Sequence, residues 1–322
     1  MRLGSRRKKA GRAEEVAREI SVFGTKVGVS APVYFAKPRE GWQLVEEYWV
    51  AEPHARVRVV EVPELGGQLA YFIEESPLSP VEQSAARELA EILSVEMEPP
   101  PAFEEDIRTK VVEQARKVAE RYRAKFKLPE QSWSKVLYYV ERDLLGYGPI
   151  EVMMRDPYLE DISCPGTMKP VYVWHRKYES MPSNVVFVDR DYLREFIVKL
   201  AHISGKHVSV AFPVVDARLP GGHRLAATFG EEISPRGSTF TIRKFRERPY
   251  SIVELVELGT LDSWTAAYLW LMIEHRMTVM IIGGTAAGKT TLLNALLNFV
   301  KPSFKIVTVE ETPEINIEHE NW

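Results

Sequence analysis

The stretch that most narrows what this chain can fold into is Gly283-Gly284-Thr285-Ala286-Ala287-Gly288-Lys289-Thr290, a fit to G-x-x-x-x-G-K-[ST]. An apolar run at residues 278–282 precedes it, an apolar helical pattern at 292–300 follows, and a second apolar run comes at 306–309. Strand, glycine-rich turn, helix and strand in that order open a parallel α/β sheet. The glycines let the backbone curl so that successive N–H groups face phosphate oxygens, and the helix N-terminus adds partial positive charge. In such a turn Lys289 reaches the β- and γ-phosphates of a nucleotide such as ATP. Thr290, with Thr291 beside it, can offer a hydroxyl to Mg²⁺.

Acidic residues follow the second run as V-E-E-T-P-E, which supplies Glu310, Glu311 and Glu314. A carboxylate at the C-terminal end of a neighbouring parallel strand faces the nucleotide crevice, where it can orient or deprotonate water. A surface turn kinked by Pro313 accounts for the same spacing, and both readings stay open at this point. Residues 185–189, Val-Val-Phe-Val-Asp, imitate the apolar strand plus aspartate that often accompanies a phosphate-binding turn. They lie far upstream, so Asp189 is read as a helix cap.

The 322 residues are 45% hydrophobic and 27% charged with a net charge of −3, which describes a globular chain and gives no general attraction to nucleic acid. One cysteine, Cys164, excludes a disulfide framework and any cysteine-rich metal site and fits a reducing compartment. No apolar run long enough to span a bilayer occurs, and residues 1–42 read as a basic, weakly structured segment. Its cluster of Arg2, Arg6, Arg7, Lys8, Lys9 and Arg12 is a solvated tail or a contact for an anionic surface. Strand-like runs follow around Tyr48, Val57 and Tyr71. Ser79, Pro80 and Glu82 form a capping box that starts a helix to about residue 93. Two more helices are predicted at 104–126 and 132–145, then another capped by Asp189. Strands are predicted at 208–210, 224–229 and 239–245, and a helix at 263–275 before the glycine-rich turn. The division that results is 43–130 and 131–246 as two N-terminal α+β domains, with 247–322 as an incomplete P-loop domain.

Several segments together resemble the type II/type IV secretion ATPase family, in particular its archaeal branch of archaellum motor and pilus-assembly ATPases. They are Y-Y-V-E-R-D-L-L-G-Y-G-P-I, D-P-Y-L-E-D-I-S-C, G-K-H-V-S-V-A-F-P-V-V-D-A-R-L-P-G-G-H-R-L, R-G-S-T-F-T-I-R-K-F, the Gly-Lys-Thr turn and V-E-E-T-P-E-I-N-I-E-H-E-N-W. The resemblance covers roughly residues 138–322. It implies α/β and α+β architecture in which N-terminal α+β domains precede a RecA-like ATPase domain. It also implies a homo-hexamer at the cytoplasmic face of the membrane, using ATP and Mg²⁺ and docking a polytopic membrane platform protein, with no nucleic acid as partner. Under it Lys289 and Thr290 are the Walker A pair. Glu314 matches the general base, with Glu310 and Glu311 beside it, although Glu311 stands where the family has aspartate. Arg224, Arg236 and Arg243 match arginines that approach the phosphates. A guanidinium aimed at the γ-phosphate also makes physical sense unaided, because it stabilises charge in a loose transition state. The family's Walker B segment and histidine box do not occur in this sequence, so the expectation is a fragment, inactive by itself.

Two other readings compete: an unrelated P-loop kinase with an acceptor pocket in its N-terminal half, and a non-enzymatic fragment that docks the platform protein. His202, His207 and His223 are close in sequence but match no helical ligand spacing, so no metal site is expected there. Cys164 reads as buried filler.

Overall fold

A computed structural model describes residues 18–29, 31–97, 107–245, 248–284, 287–310 and 314–322. It divides into two compact units, Met1–Lys244 and Phe245–Trp322. The strands of the first are β1 (Arg18–Val22), β2 (Thr25–Val29), β3 (Val33–Phe35), β4 (Gln43–Ala51), β5 (Ala55–Val62), β6 (Gln68–Glu75), β7 (Leu159–Cys164), β8 (Pro170–His175), β9 (Glu179–Phe187), β10 (Val214–Arg218), β11 (Arg224–Thr228) and β12 (Thr239–Arg243). Its helices are α1 (Pro80–Glu96), α2 (Ile107–Phe126), α3 (Glu130–Val140), α4 (Glu151–Arg155) and α5 (Arg190–Ile203). The second unit holds α6 (Ile252–Glu257), α7 (Ser263–Glu274) and α8 (Lys289–Leu297).

One ten-stranded sheet organises the first unit in the order β10-β11-β12-β7-β8-β9-β6-β5-β4, with β3 added to β9. Neighbours run antiparallel except β6 and β9, which meet in parallel at Tyr71 and Ser183. The sheet is continuous from residues of the 43–130 stretch into those of the 131–246 stretch. Alternation along β5 explains why its middle is buried on both sides. Ala55, Val57 and Val59 join Tyr71, Ile73 and the α5 residues Leu193, Phe196 and Leu200 in the main core. Val60 and Val62 point the other way and pack with Ala70, Phe72 and Phe23. The helices α1 to α3 bury a third cluster around Leu89, Leu93, Val118, Trp133 and Val136.

Two buried polar side chains tie this frame together. Where β6 and β9 splay apart, the Asn184 side chain fills the gap: Oδ1 accepts Ile73 N–H at 2.9 Å, and Nδ2 donates to the carbonyls of Ala36 and Ile73 at 2.8 and 2.9 Å. It therefore stands in for a strand's own backbone amide. The fully buried Asp156 carboxylate accepts from the Tyr48 and Tyr71 hydroxyls at 2.8 and 2.7 Å, joining β4 and β6 to the turn before β7. Burial and this adjacent carboxylate push the Tyr71 hydroxyl far above the ordinary tyrosine range.

Several local signals act as the sequence suggests. Ser79 and Glu82 form a reciprocal capping box at α1, and Asp189 accepts the N–H groups of Asp191 and Tyr192 at the start of α5. The third helix keeps its expected extent, because Glu130–Val140 continues as a π-helical turn at Glu141–Leu145 that Gly146 ends. Three expectations need correction. The stretch 1–42 is not weakly structured in its described part, because residues 18–42 supply β1, β2 and β3; the basic cluster at 2–12 lies outside the described residues. Residues 208–210 form no strand: Ser209 and Phe212 close a tight turn on each other's backbone, which takes them out of the ladder. Finally, neither apolar run of the second unit is a ladder strand among the described residues. Met280 and Ile282 are 79% and 82% exposed and Val309 is 96% exposed, so the first run is not the buried strand expected. Extended backbone becomes a strand only when a neighbour takes its N–H and C=O groups along a ladder; among the described residues the second run has a single such bond, Ile306 N–H to the Asn321 carbonyl at 2.9 Å, and neither run builds a ladder.

Candidate phosphate-binding site

The second unit builds its site around the start of α8. Gly288 is the residue before the helix and adopts the left-handed conformation, φ 82°, which a side chain would strain. Among the described residues no side chain caps the first-turn N–H groups of the helix at this point. Gly283 is needed for a different reason: a Cβ there would sit 3.2 Å from the Ala287 Cβ, too close to be accommodated without movement. Lys289 folds its ammonium back onto the Gly284 carbonyl, across the mouth of the turn. Thr290 and Thr291 are half-buried in the first turn. Thr285 and Ala286 lie outside the described residues.

The acidic turn is held against the same helix. Glu310 Oε2 accepts the N–H groups of Glu314 and Ile315 at 2.6 and 2.9 Å. Asn294, one helical turn beyond Thr290 and buried, accepts Asn316 N–H at 2.9 Å and donates to the Glu314 carbonyl at 3.3 Å. Ile306, Ile315 and Ile317 pack with Leu297 and Val300 beneath these bonds. Of the three predicted acids, Glu310 spends one oxygen on the turn, Glu314 is half-buried beside it, and Glu311 lies outside the described residues. Sequence reasoning missed Asn294; its signal was the i, i+4 spacing from Thr290, which puts both on one helix face.

In the first unit, register aligns Arg218, Arg224 and Arg243 across β10, β11 and β12 on the less buried face of the sheet. Arg224 makes a two-pronged pair with Asp216 at 3.2 and 2.8 Å, and Arg243 pairs with Asp161 at 3.1 Å. The guanidinium holds the Asp216 carboxyl below the usual range. Arg236 lies exposed in the turn before β12. Arg218 was not singled out in the sequence, because no strand was expected at Val214–Arg218; once β10 forms there, alternation puts Asp216 and Arg218 on one face.

Among the described residues no group of three or more His, Cys, Asp or Glu side chains could hold a metal ion, and His202 and His207 merely meet edge to face at 5.5 Å. Cys164 is buried, and burial pushes its thiol up to about 12, which makes it inert filler. No helix among the described residues is long and apolar enough to cross a membrane.

Comparison with known proteins gives the family. An uncharacterized protein of Methanocaldococcus jannaschii is 42% identical over 198 residues, 62% of this chain and 36% of that protein. A second uncharacterized protein of the same organism is 38% identical, over 54% of this chain and 24% of its own. The "probable conjugal transfer protein TrbB" of Sinorhizobium fredii is 32% identical over 38% of each. The alignments with the first two thus span about a third or less of those relatives' length. Among solved structures, the VirB11 ATPase of the Brucella suis type IV secretion system aligns at 19% identity over 52% of this chain and 56% of that one; its TM-score of 0.27 is too low to carry an argument. The family model described as type II/IV secretion system protein matches residues 144–322, more than half of the chain. On that match, this chain belongs to the type II/IV secretion system protein family.

Proposed function

We propose that this chain carries the ATP-binding and hydrolysing part of a motor for a type II secretion machine or a type IV pilus or archaellum-like assembly machine. The observation that carries the reading is the uncapped start of α8 behind the left-handed Gly288, with Lys289 drawn across the turn. That arrangement suits the phosphates of ATP: a helix N-terminus, its first-turn N–H groups and one ammonium lie together at a glycine-rich turn. Thr290 would hold a Mg²⁺ ion, which when bound draws charge off the β- and γ-phosphates. Glu314 is the proposed base for the attacking water. Glu310 shapes the backbone at 314–315, and Glu311 is proposed as a further carboxylate of the site.

The rest of the reading extends family membership. Residues 247–322 would form the opening of a RecA-like domain, with 43–130 and 131–246 as N-terminal domains. The extended runs at 278–282 and 306–309 would take their places in its parallel sheet. Arg224, Arg236 and Arg243 would approach the γ-phosphate in a homo-hexamer at the cytoplasmic face of a membrane. There the motor would drive a polytopic platform protein.

The test is titration of a fluorescent ATP analogue with Mg²⁺ into the 322-residue chain and into Lys289→Ala. We expect the variant to bind at least tenfold more weakly, from loss of the one charge-assisted contact to the terminal phosphates. Equal binding by the two would remove the site. A chain that binds no nucleotide at all would leave the docking role as the better reading.

A further inference from the structure

The bonds between α8 and the acidic turn assign a role that neither the glycine-rich turn nor the acidic residues reveal alone. We infer that Asn294 is a positioning residue: it fixes the Glu314 backbone against the phosphate-binding helix, so that the carboxylate has one height above the first turn of α8. The inference rests on the proposed ATPase reading.

Three observations carry it. Asn294 sits at i+4 from Thr290, so the face of α8 that begins at the phosphate site continues directly to its side chain. Its amide is buried, and both ends are used on one short segment, Oδ1 by Asn316 N–H and Nδ2 by the Glu314 carbonyl. Glu310 grips the same segment from the other side, through the N–H groups of Glu314 and Ile315. The peptide groups around Glu314 are thus held from the helix and from the preceding run at once. A helix that ended in contact with this turn through apolar packing alone would leave the turn free to slide along it. Ile315 and Ile317 supply such packing, and Asn294 adds direction to it.

A base must sit within hydrogen-bond reach of the water it activates, and a displacement of about 1 Å can cost on the order of a hundredfold in rate. Loss of the Asn294 bonds should therefore lower turnover without touching the phosphate contacts made by the turn and Lys289.

The experiment uses the full 322-residue chain with Asn294→Leu, which keeps side-chain bulk, and Asn294→Asp, which keeps the acceptor for Asn316. ATP affinity, steady-state hydrolysis and amide hydrogen exchange are measured on each. The expected result for Asn294→Leu is ATP affinity within about threefold of wild type, turnover lowered by about a hundredfold and faster exchange at residues 314–316, with α8 still protected. Asn294→Asp should regain part of the protection at Asn316. Unchanged turnover and unchanged exchange would overturn the assignment. Loss of protection throughout α8 would also overturn it, because Asn294 would then serve the helix itself. A wild-type chain that binds ATP but does not hydrolyse it fits the fragment expected from the sequence, and the exchange rates at 314–316 then decide by themselves whether Asn294 holds the turn; a wild-type chain that binds no ATP counts against the proposed function.

Discussion

Single side chains in this protein often serve two partners, and that makes their charge state a matter of stability. Glu82 takes the Ser79 backbone N–H and the Lys135 ammonium, and these bonds hold its carboxyl down at about 2. The folded state therefore binds this proton less readily than the unfolded chain, whose carboxyl titrates near 4.5. The stabilisation is fully present above about pH 4.5 and fades as pH falls toward 2. Glu82→Gln should flatten that part of the stability curve, and urea midpoints at several pH values for both proteins would show it. Parallel curves would mean that neither the Ser79 bond nor the Lys135 pair lowers this carboxyl in solution. This feature was legible from Ser79-Pro80-Val81-Glu82, because a capping box involves residues only three apart. The Lys135 partner was not legible, since it comes from another helix.

At the level of elements, the local signals that worked were those satisfied within a few residues. Asp189 illustrates the point: its sequence context allowed a metal-binding aspartate, and its carboxylate instead accepts two N–H groups at the start of α5. Asp189→Ala should cost about 1 kcal/mol of stability, the usual value of an N-cap, and leave nucleotide affinity unchanged. Thermal unfolding together with the ATP-analogue titration checks both halves. A loss of affinity with no loss of stability would restore the metal-binding reading. Signals that depended on a distant neighbour fared worse. The runs at 278–282 and 306–309 have the composition of buried strands, but composition cannot supply the ladder partner that makes a strand. The stretch 18–42 failed in the opposite sense: its short strands are weak by pattern, and β3 exists because β9 offers an edge for Val33, Tyr34 and Phe35.

For the whole molecule, the two units differ in how much core they own. The first holds three clusters of buried side chains, whereas the second is centred on Ile306, Ile315 and Ile317 and exposes Trp264, Met280 and Ile282. Residues 1–244 expressed alone should therefore unfold in one cooperative transition, with a midpoint close to that of the same region in the full chain. Circular dichroism during urea titration tests this, and a broad, early transition would show that the large sheet depends on residues 245–322.

By itself the sequence determined the position of the glycine-rich turn at the start of α8, the capped starts of α1 and α5, and membership of the family. Each depends on residues adjacent in the chain or on a set of local motifs, so each survives without knowledge of the fold. Tertiary structure alone decided which runs become strands, that Arg218 joins Arg224 and Arg243 in one row, and that Asn184 fills the gap between β6 and β9. It also decided that Asn294 and Glu310 hold the turn carrying Glu314. Those outcomes require a backbone or side-chain partner more than a turn away in sequence, and register and packing choose that partner.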